Sequence, residues 1–185
     1  MKEIMNLGLK LLLISLIAAL SLGYVNDITK GKIAEQRAIA NERARKEVSP
    51  DADSFKELDI SEIDNDLVVE GFEAVKDELR IGYVFKTLPK GYGGGLEVIV
   101  GISNNGIITG VRIGSHNETP GLGAKSTDES FYNQYENMKA NQAIGVSKTQ
   151  KSDSEIQAIS GATITSKAVT IGVNSAIEAY NALIQ

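Results

Sequence analysis

Hydrophobic and polar positions change rhythm several times along this chain, and each change marks an element. Residues 1–6 form a short, partly charged tail, and Leu7 to Val25 is apolar apart from Lys10 and small polar residues. As a helix that run spans about 28 Å, close to one hydrocarbon core. A basic start before an apolar run also fits a cleaved signal peptide. No clean small-x-small site follows the run, so an uncleaved transmembrane anchor is the expectation. Lys10, one turn inside, can snorkel to the interface. From Asn26 to Val48 the pattern turns charged and alanine-rich, with no proline and one glycine, Gly31. It predicts a helical stalk. Ile28, Ile33, Ile39 and Val48 are too sparse a stripe for a strong coiled coil. Ser49-Pro50-Asp51-Ala52-Asp53 breaks the helix, and a globular domain is expected over residues 49–185.

Within that domain Leu79 to Leu88 alternates weakly and carries Ile81, Tyr83, Val84 and Phe85, a strand pattern. Leu96–Ile102 and Ile107–Ile113 read as a hairpin joined by Ser103-Asn104-Asn105-Gly106, an Asn-Gly turn signal. Asp128 to Met138 predicts a short helix with Asp128 near its cap. A polar stretch, Ser147 to Ser154, precedes a candidate last strand at Ile156–Ile159. Apolar residues then recur at Val169, Val173, Ile177, Tyr180 and Ile184, the spacing of a helix with one buried face. Strands first and helices at the end give an α+β class, with an antiparallel sheet and a C-terminal helix.

Composition narrows the function classes. Hydrophobic residues at 42% support a real core, while 5% aromatics and no Trp leave few large anchors. A net charge of −5 disfavours nucleic acid or an anionic lipid surface as the main partner. With no Cys and one His, the chain has no disulfide, no iron–sulfur ligation of its own, no thiolate zinc site and no histidine cluster for a metal.

The candidate chemistry lies in two segments. Ser160-Gly161-Ala162-Thr163-Ile164-Thr165-Ser166 sets hydroxyls around two very small residues where the last helix should begin. Free N–H groups and a partial positive charge there suit a phosphate, although taken alone such a turn reads first as an ordinary helix cap. Upstream lies His116-Asn117-Glu118-Thr119-Pro120-Gly121-Leu122-Gly123. The loop Gly91-Tyr92-Gly93-Gly94-Gly95 lacks the Lys-Ser/Thr ending of a phosphate-binding P-loop, so it predicts no nucleotide role.

Together the two segments resemble the FMN-binding domain family. The chain looks most like the G subunit of Rnf electron-transport complexes, with the C subunit of Na+-translocating NADH:quinone reductases as a relative. The resemblance implies FMN joined by a phosphoester bond to Thr163, with Ser160, Gly161, Ala162, Thr165 and Ser166 around it. Thr165 and Ser166 are rival hydroxyls within one turn. The resemblance also implies that Glu118, Thr119, Pro120, Gly121, Leu122 and Gly123 pack near the flavin. Pro120 and Leu122 would press on a ring face, and Thr119 with the N–H groups of Gly121 and Gly123 would meet its polar edge. Glu118 would orient the loop or sit as a solvated turn carboxylate. His116 would tune protonation or serve as a surface turn residue, and Lys167 would face the phosphate or the solvent. A Thr hydroxyl is a poor nucleophile at its free pKa, so attachment implies an enzyme, in this family a Mg2+-dependent flavin transferase using FAD. Where the family usually has Asp, three residues before the motif, this chain has Gln157.

At the level of function the resemblance implies a membrane-anchored electron-transfer subunit of an ion-translocating ferredoxin:NAD+ oxidoreductase. Other Rnf-type membrane subunits would be its partners, and it would hold no complete active site or catalytic residue of its own. The family places the domain on the extracytoplasmic side of the cell membrane. Lys30, Lys32 and Arg37 after the apolar run would, by the positive-inside rule, lean the other way. A stand-alone surface flavoprotein for extracellular electron transfer and a non-redox anchored binding domain are the alternatives.

Overall fold

The computed structural model describes residues 1–184, in two compact units, Met1–Ala40 and the remainder from Asn41. Helix α1 runs unbroken from Lys2 to Val48, so the apolar run and the charged stretch after it are one helix. In the first unit Leu11, Leu12, Leu13, Ile14, Leu16, Ile17 and Leu20 are all exposed. By length and composition this helix is apolar enough to cross a membrane, with an 18-residue window of mean hydropathy 2.0, none of it buried. It stops where Ser49 N–H closes the last turn on the Arg45 carbonyl and Pro50 brings no donor.

The second unit is built on a five-stranded antiparallel meander, β1 (Ser54–Glu57), β2 (Val68–Lys76), β3 (Leu79–Thr87), β4 (Val98–Ser103) and β5 (Ile108–Ile113), in that spatial order. The chain thus has the expected α+β architecture. The β4–β5 hairpin turns through Gly106 at φ +69°. β1 and β2 carried no clear signal in the sequence. β2 returns into β3 through Asp77 and Glu78, at φ +49° and +65°, a primed two-residue turn without the usual glycine.

Both faces of the sheet are covered, which explains why its strands look only weakly alternating. One face points Tyr83, Phe85, Val98, Val100 and Ile102 at helix α3 (Thr163–Ile184), whose Val169, Val173, Ala176, Ile177 and Tyr180 complete the main core. The opposite face sets Ala74, Val84 and Ile99 against Val48 and Ala52. The cross-strand pair Gly101 and Gly110 leaves a notch there. A Cβ on Gly101 would strike the Val48 carbonyl oxygen, and one on Gly110 would lie 3.0 Å from Val48 Cα. Arg112 Nε pairs with Glu47 Oε2 at 2.9 Å beside this notch.

The single helix expected over Asp128–Met138 is not formed. The segment is a 3-10 turn at Gly123–Thr127, a four-residue helix α2 at Glu129–Tyr132 and a second 3-10 turn at Asn133–Tyr135. Asp128 occupies the cap position of α2, but its side chain makes no capping bond. Competition from β5 explains the break. Asn137, at φ +64°, donates to the Ile108 carbonyl and Met138 accepts from Ile108 N–H, so the backbone bonds a strand edge where a helix would bond itself. A small parallel pair, β6 (Gly145–Ser147) and β7 (Glu155–Gln157), ends one residue after Ile156, short of the expected Ile159.

Candidate functional site

Three chain segments converge beside the N-terminus of α3. The first is the glycine-rich loop between β3 and β4, pinched by a bridge between Lys90 and Gly95. The second is the loop after β5, and the third is the first turn of α3. Between them lies a cleft of about 560 Å³, within the usual span of small-molecule sites. Tyr92, Leu122, Ala162 and Ile164 give it apolar walls, and Thr119, Thr163 and Thr165 supply hydroxyls. Gly123, Gly161 and Glu118 complete the lining.

Helix α3 starts so as to leave donors free. Its first i→i−4 bond runs from Ser166 N–H to the Ala162 carbonyl at 3.0 Å, so the N–H groups of Thr163, Ile164 and Thr165 have no partner within the helix. Gly161 precedes them at φ +77°, a conformation that L side chains avoid. Among the described residues beyond its chain neighbours, a Cβ built there meets only Leu122 Cδ2 within 4 Å, at 3.2 Å. The backbone can therefore be approached closely at this point, as a bulky anion requires.

The hydroxyls of this turn have different surroundings. Thr165 is 1% exposed and donates to Glu118 Oε2 at 2.6 Å. Ser166 is fully buried, donating to the Ala162 carbonyl and accepting from Ile159 N–H. Thr163 is half-buried on the cleft wall, and its hydroxyl stays uncommitted among the described residues. Ser160 is exposed and outside the lining, and Lys167 is exposed. Behind the turn, Tyr135 Oη meets Thr170 Oγ1 at 2.8 Å. Burial holds that phenol well above its ordinary pKa, so it stays a neutral brace against α3.

In the loop after β5, Glu118 is 6% exposed, which separates it from a solvated turn carboxylate. Its Oε1 accepts from Gly93 N–H at 3.0 Å, and its own N–H donates to His116 Nδ1 at 3.2 Å. His116 thus braces the turn. Pro120 and Gly121 are exposed and outside the cleft lining, with Gly121 at φ +76°. Tyr92 lines the cleft, although its loop, without a P-loop ending, predicted no nucleotide role. The available signal was a lone aromatic among four glycines, hidden behind a failed P-loop match. Gln157 lies on β7, where its Nε2 donates to the Thr149 carbonyl and its N–H to Gln134 Oε1.

Residues 91–178, which include Gly91–Gly95 of the first loop and both other segments, match the family model described as the FMN-binding domain. Over 98% of its length the chain is 40% identical to the G subunit of the Na(+)-translocating ferredoxin:NAD(+) oxidoreductase complex of Acetobacterium woodii, covering 94% of that protein. The chain belongs to the FMN-binding domain family. It is also 41% identical, over 73% of its length and 74% of the relative's, to the G subunit of the proton-translocating ferredoxin:NAD(+) oxidoreductase complex of Clostridium ljungdahlii. Among solved structures it resembles the C subunit of the Na(+)-translocating NADH-quinone reductase of Parabacteroides distasonis. That match has a TM-score of 0.54 and 27% identity over 60% of each chain. The cleft suits the family's cofactor. Free N–H groups and the open approach over Gly161 fit a phosphate, and Tyr92, Leu122 and Ile164 fit a flat aromatic ring.

Proposed function

We propose that this chain is the membrane-anchored, FMN-carrying electron-transfer subunit of an Rnf-type ion-translocating ferredoxin:NAD+ oxidoreductase complex. In this reading the flavin is joined through its phosphate to Thr163. The observation that carries the attachment is the contrast among three neighbouring hydroxyls. Those of Thr165 and Ser166 are buried and bonded within the chain, and that of Thr163 faces the cleft uncommitted. Similarity to the G subunits supports the complex, and the cleft supports the cofactor.

When bound, FMN supplies the redox chemistry; the chain's own residues hold, shield and tune it. The first-turn N–H groups and the helix dipole would stabilise the phosphate charge. Leu122, Ile164 and Tyr92 would cover the ring and exclude water, with Thr119 at its polar edge. Leu7–Val25 would anchor the chain in the cell membrane as the first part of α1. Residues 49–185 would lie on the extracytoplasmic side, with the other Rnf-type membrane subunits as partners and a flavin transferase acting during maturation.

The test is intact mass and in-gel flavin fluorescence of denatured protein from a host that supplies a flavin transferase. The parent and Thr165→Ala retain the flavin, and Thr163→Ala loses it. The opposite pattern moves the bond to Thr165, and fluorescence in none of the three removes the covalent flavin.

A further inference from the structure

We propose that Glu118 is a positioning residue, clamping the glycine-rich loop to the first turn of α3 and thereby fixing the walls of the cleft. The part that concerns the flavin rests on the function proposed above; the clamp itself does not.

Glu118 sits where all three segments of the cleft meet. Its Oε1 takes the Gly93 N–H of one segment, and its Oε2 takes the Thr165 hydroxyl of another. Each oxygen thus holds a different piece of chain, and both are held by neutral donors. No Lys or Arg pairs with this carboxylate among the described residues. The backbone closes around it. A Cβ on Gly91 would strike Glu118 Oε1, and a Cβ on Gly123 would strike Oε2 and stand 2.6 Å from Thr165 Oγ1. A third steric limit lies beside it, since a Cβ on Gly93 would strike the Asn117 carbonyl. A buried carboxylate without a cation is costly unless dipoles stabilise it. Here Thr165 lies in the first turn of α3, so the positive end of the helix dipole serves that purpose.

The carboxylate links the loop bearing Tyr92 to the turn bearing Thr163, so loosening one should loosen the other. The clamp also leaves a negative charge at the base of the cleft, where it would oppose added negative charge on a bound ring and lower its reduction potential. Gln at position 118 can keep both links. Its Oε1 still accepts from Gly93, its amide donates to Thr165 Oγ1, and the Thr hydroxyl turns its proton away. That substitution therefore removes the charge and spares the geometry.

The experiment uses the full-length chain in detergent micelles, as the parent, Thr165→Val, Glu118→Ala and Glu118→Gln. Hydrogen exchange is measured on residues 91–95 and 162–166 without flavin. Thr165→Val, a change on α3, should speed exchange in residues 91–95 about fivefold, the size expected for one lost hydrogen bond. Glu118→Ala should loosen both segments, and Glu118→Gln should restore both. Unchanged exchange at 91–95 in a folded Thr165→Val variant overturns the clamp. The flavin-loaded proteins are then compared by midpoint potential. Glu118→Gln should raise it, and an unchanged potential overturns the electrostatic role. A parent that carries no flavin overturns the function proposed above and the tuning role with it, while the exchange result still decides the clamp.

Discussion

Thr165 Oγ1 lies 2.6 Å from Glu118 Oε2, a bond that joins two motifs separated by 47 residues in sequence. It sets this hydroxyl apart from that of Thr163, the proposed attachment point. The Thr165 oxygen is buried and its proton is committed to a carboxylate. It also ties the loop after β5 to the start of α3, so changes in either segment reach the other.

Gly161→Ala should impair the site with little harm to the fold. The residue sits at φ +77°, where a side chain costs about 1–2 kcal/mol, and its Cβ would press on Leu122 Cδ2. Covalent flavin yield on a denaturing gel should fall severalfold, with only a modest drop in melting temperature. Full loading would show that the anion does not approach the backbone here.

Gly121→Val acts differently, because space around Gly121 is open and its φ is +76°. The strain falls on the loop that carries Leu122, and the Thr163 hydroxyl is untouched. Flavin should remain attached, with a shifted absorbance band and midpoint potential and slower electron transfer. A spectrum, potential and rate all equal to the parent's would make this loop a plain structural turn.

Glu47 gives a pH dependence with a definite sign. Partial burial works to raise its pKa, but hydrogen bonds and charge from Arg112 and Arg43 outweigh it and hold the carboxyl below its ordinary 4.5. A folded pKa below the unfolded one stabilises the protein above the unfolded value, and that stability is lost as pH falls through the folded value. The Glu47 side chain is 38% exposed, so the contribution is at most about 1 kcal/mol. Chemical denaturation of the full chain in micelles should show Glu47→Gln less stable than the parent at neutral pH. The gap should close once both pKa values are passed on acidification, and a gap that widens would contradict the ion pair.

Sidedness has its own test. Protease added to intact cells should digest residues 49–185 if they lie opposite the cytoplasm. Digestion confined to inverted vesicles would reverse the topology and favour the charge pattern of Lys30, Lys32 and Arg37.

Much of this protein is decided locally, and the sequence alone determined those parts. Helix α3 was legible because a single buried stripe recurs at three-and-four spacing from Val169 to Tyr180. The β4–β5 hairpin was legible because an Asn-Gly turn has its own backbone preference, and the apolar run of α1 because a long unbroken apolar stretch needs no partner to be recognised. The tertiary structure decided the rest. β2 was hidden by Glu70, Gly71 and Glu73, and its turn by an Asp-Glu pair that only the flanking strands hold at positive φ. Residues 128–138 favoured helix locally until the edge of β5 offered their backbone better partners. In the site, the two motifs named the small residues and the hydroxyls, but no local rule distinguishes Thr163 from Thr165 or Ser166. That difference arises only when Glu118 and the α3 turn come together, because burial and hydrogen-bond partners are properties of the folded chain.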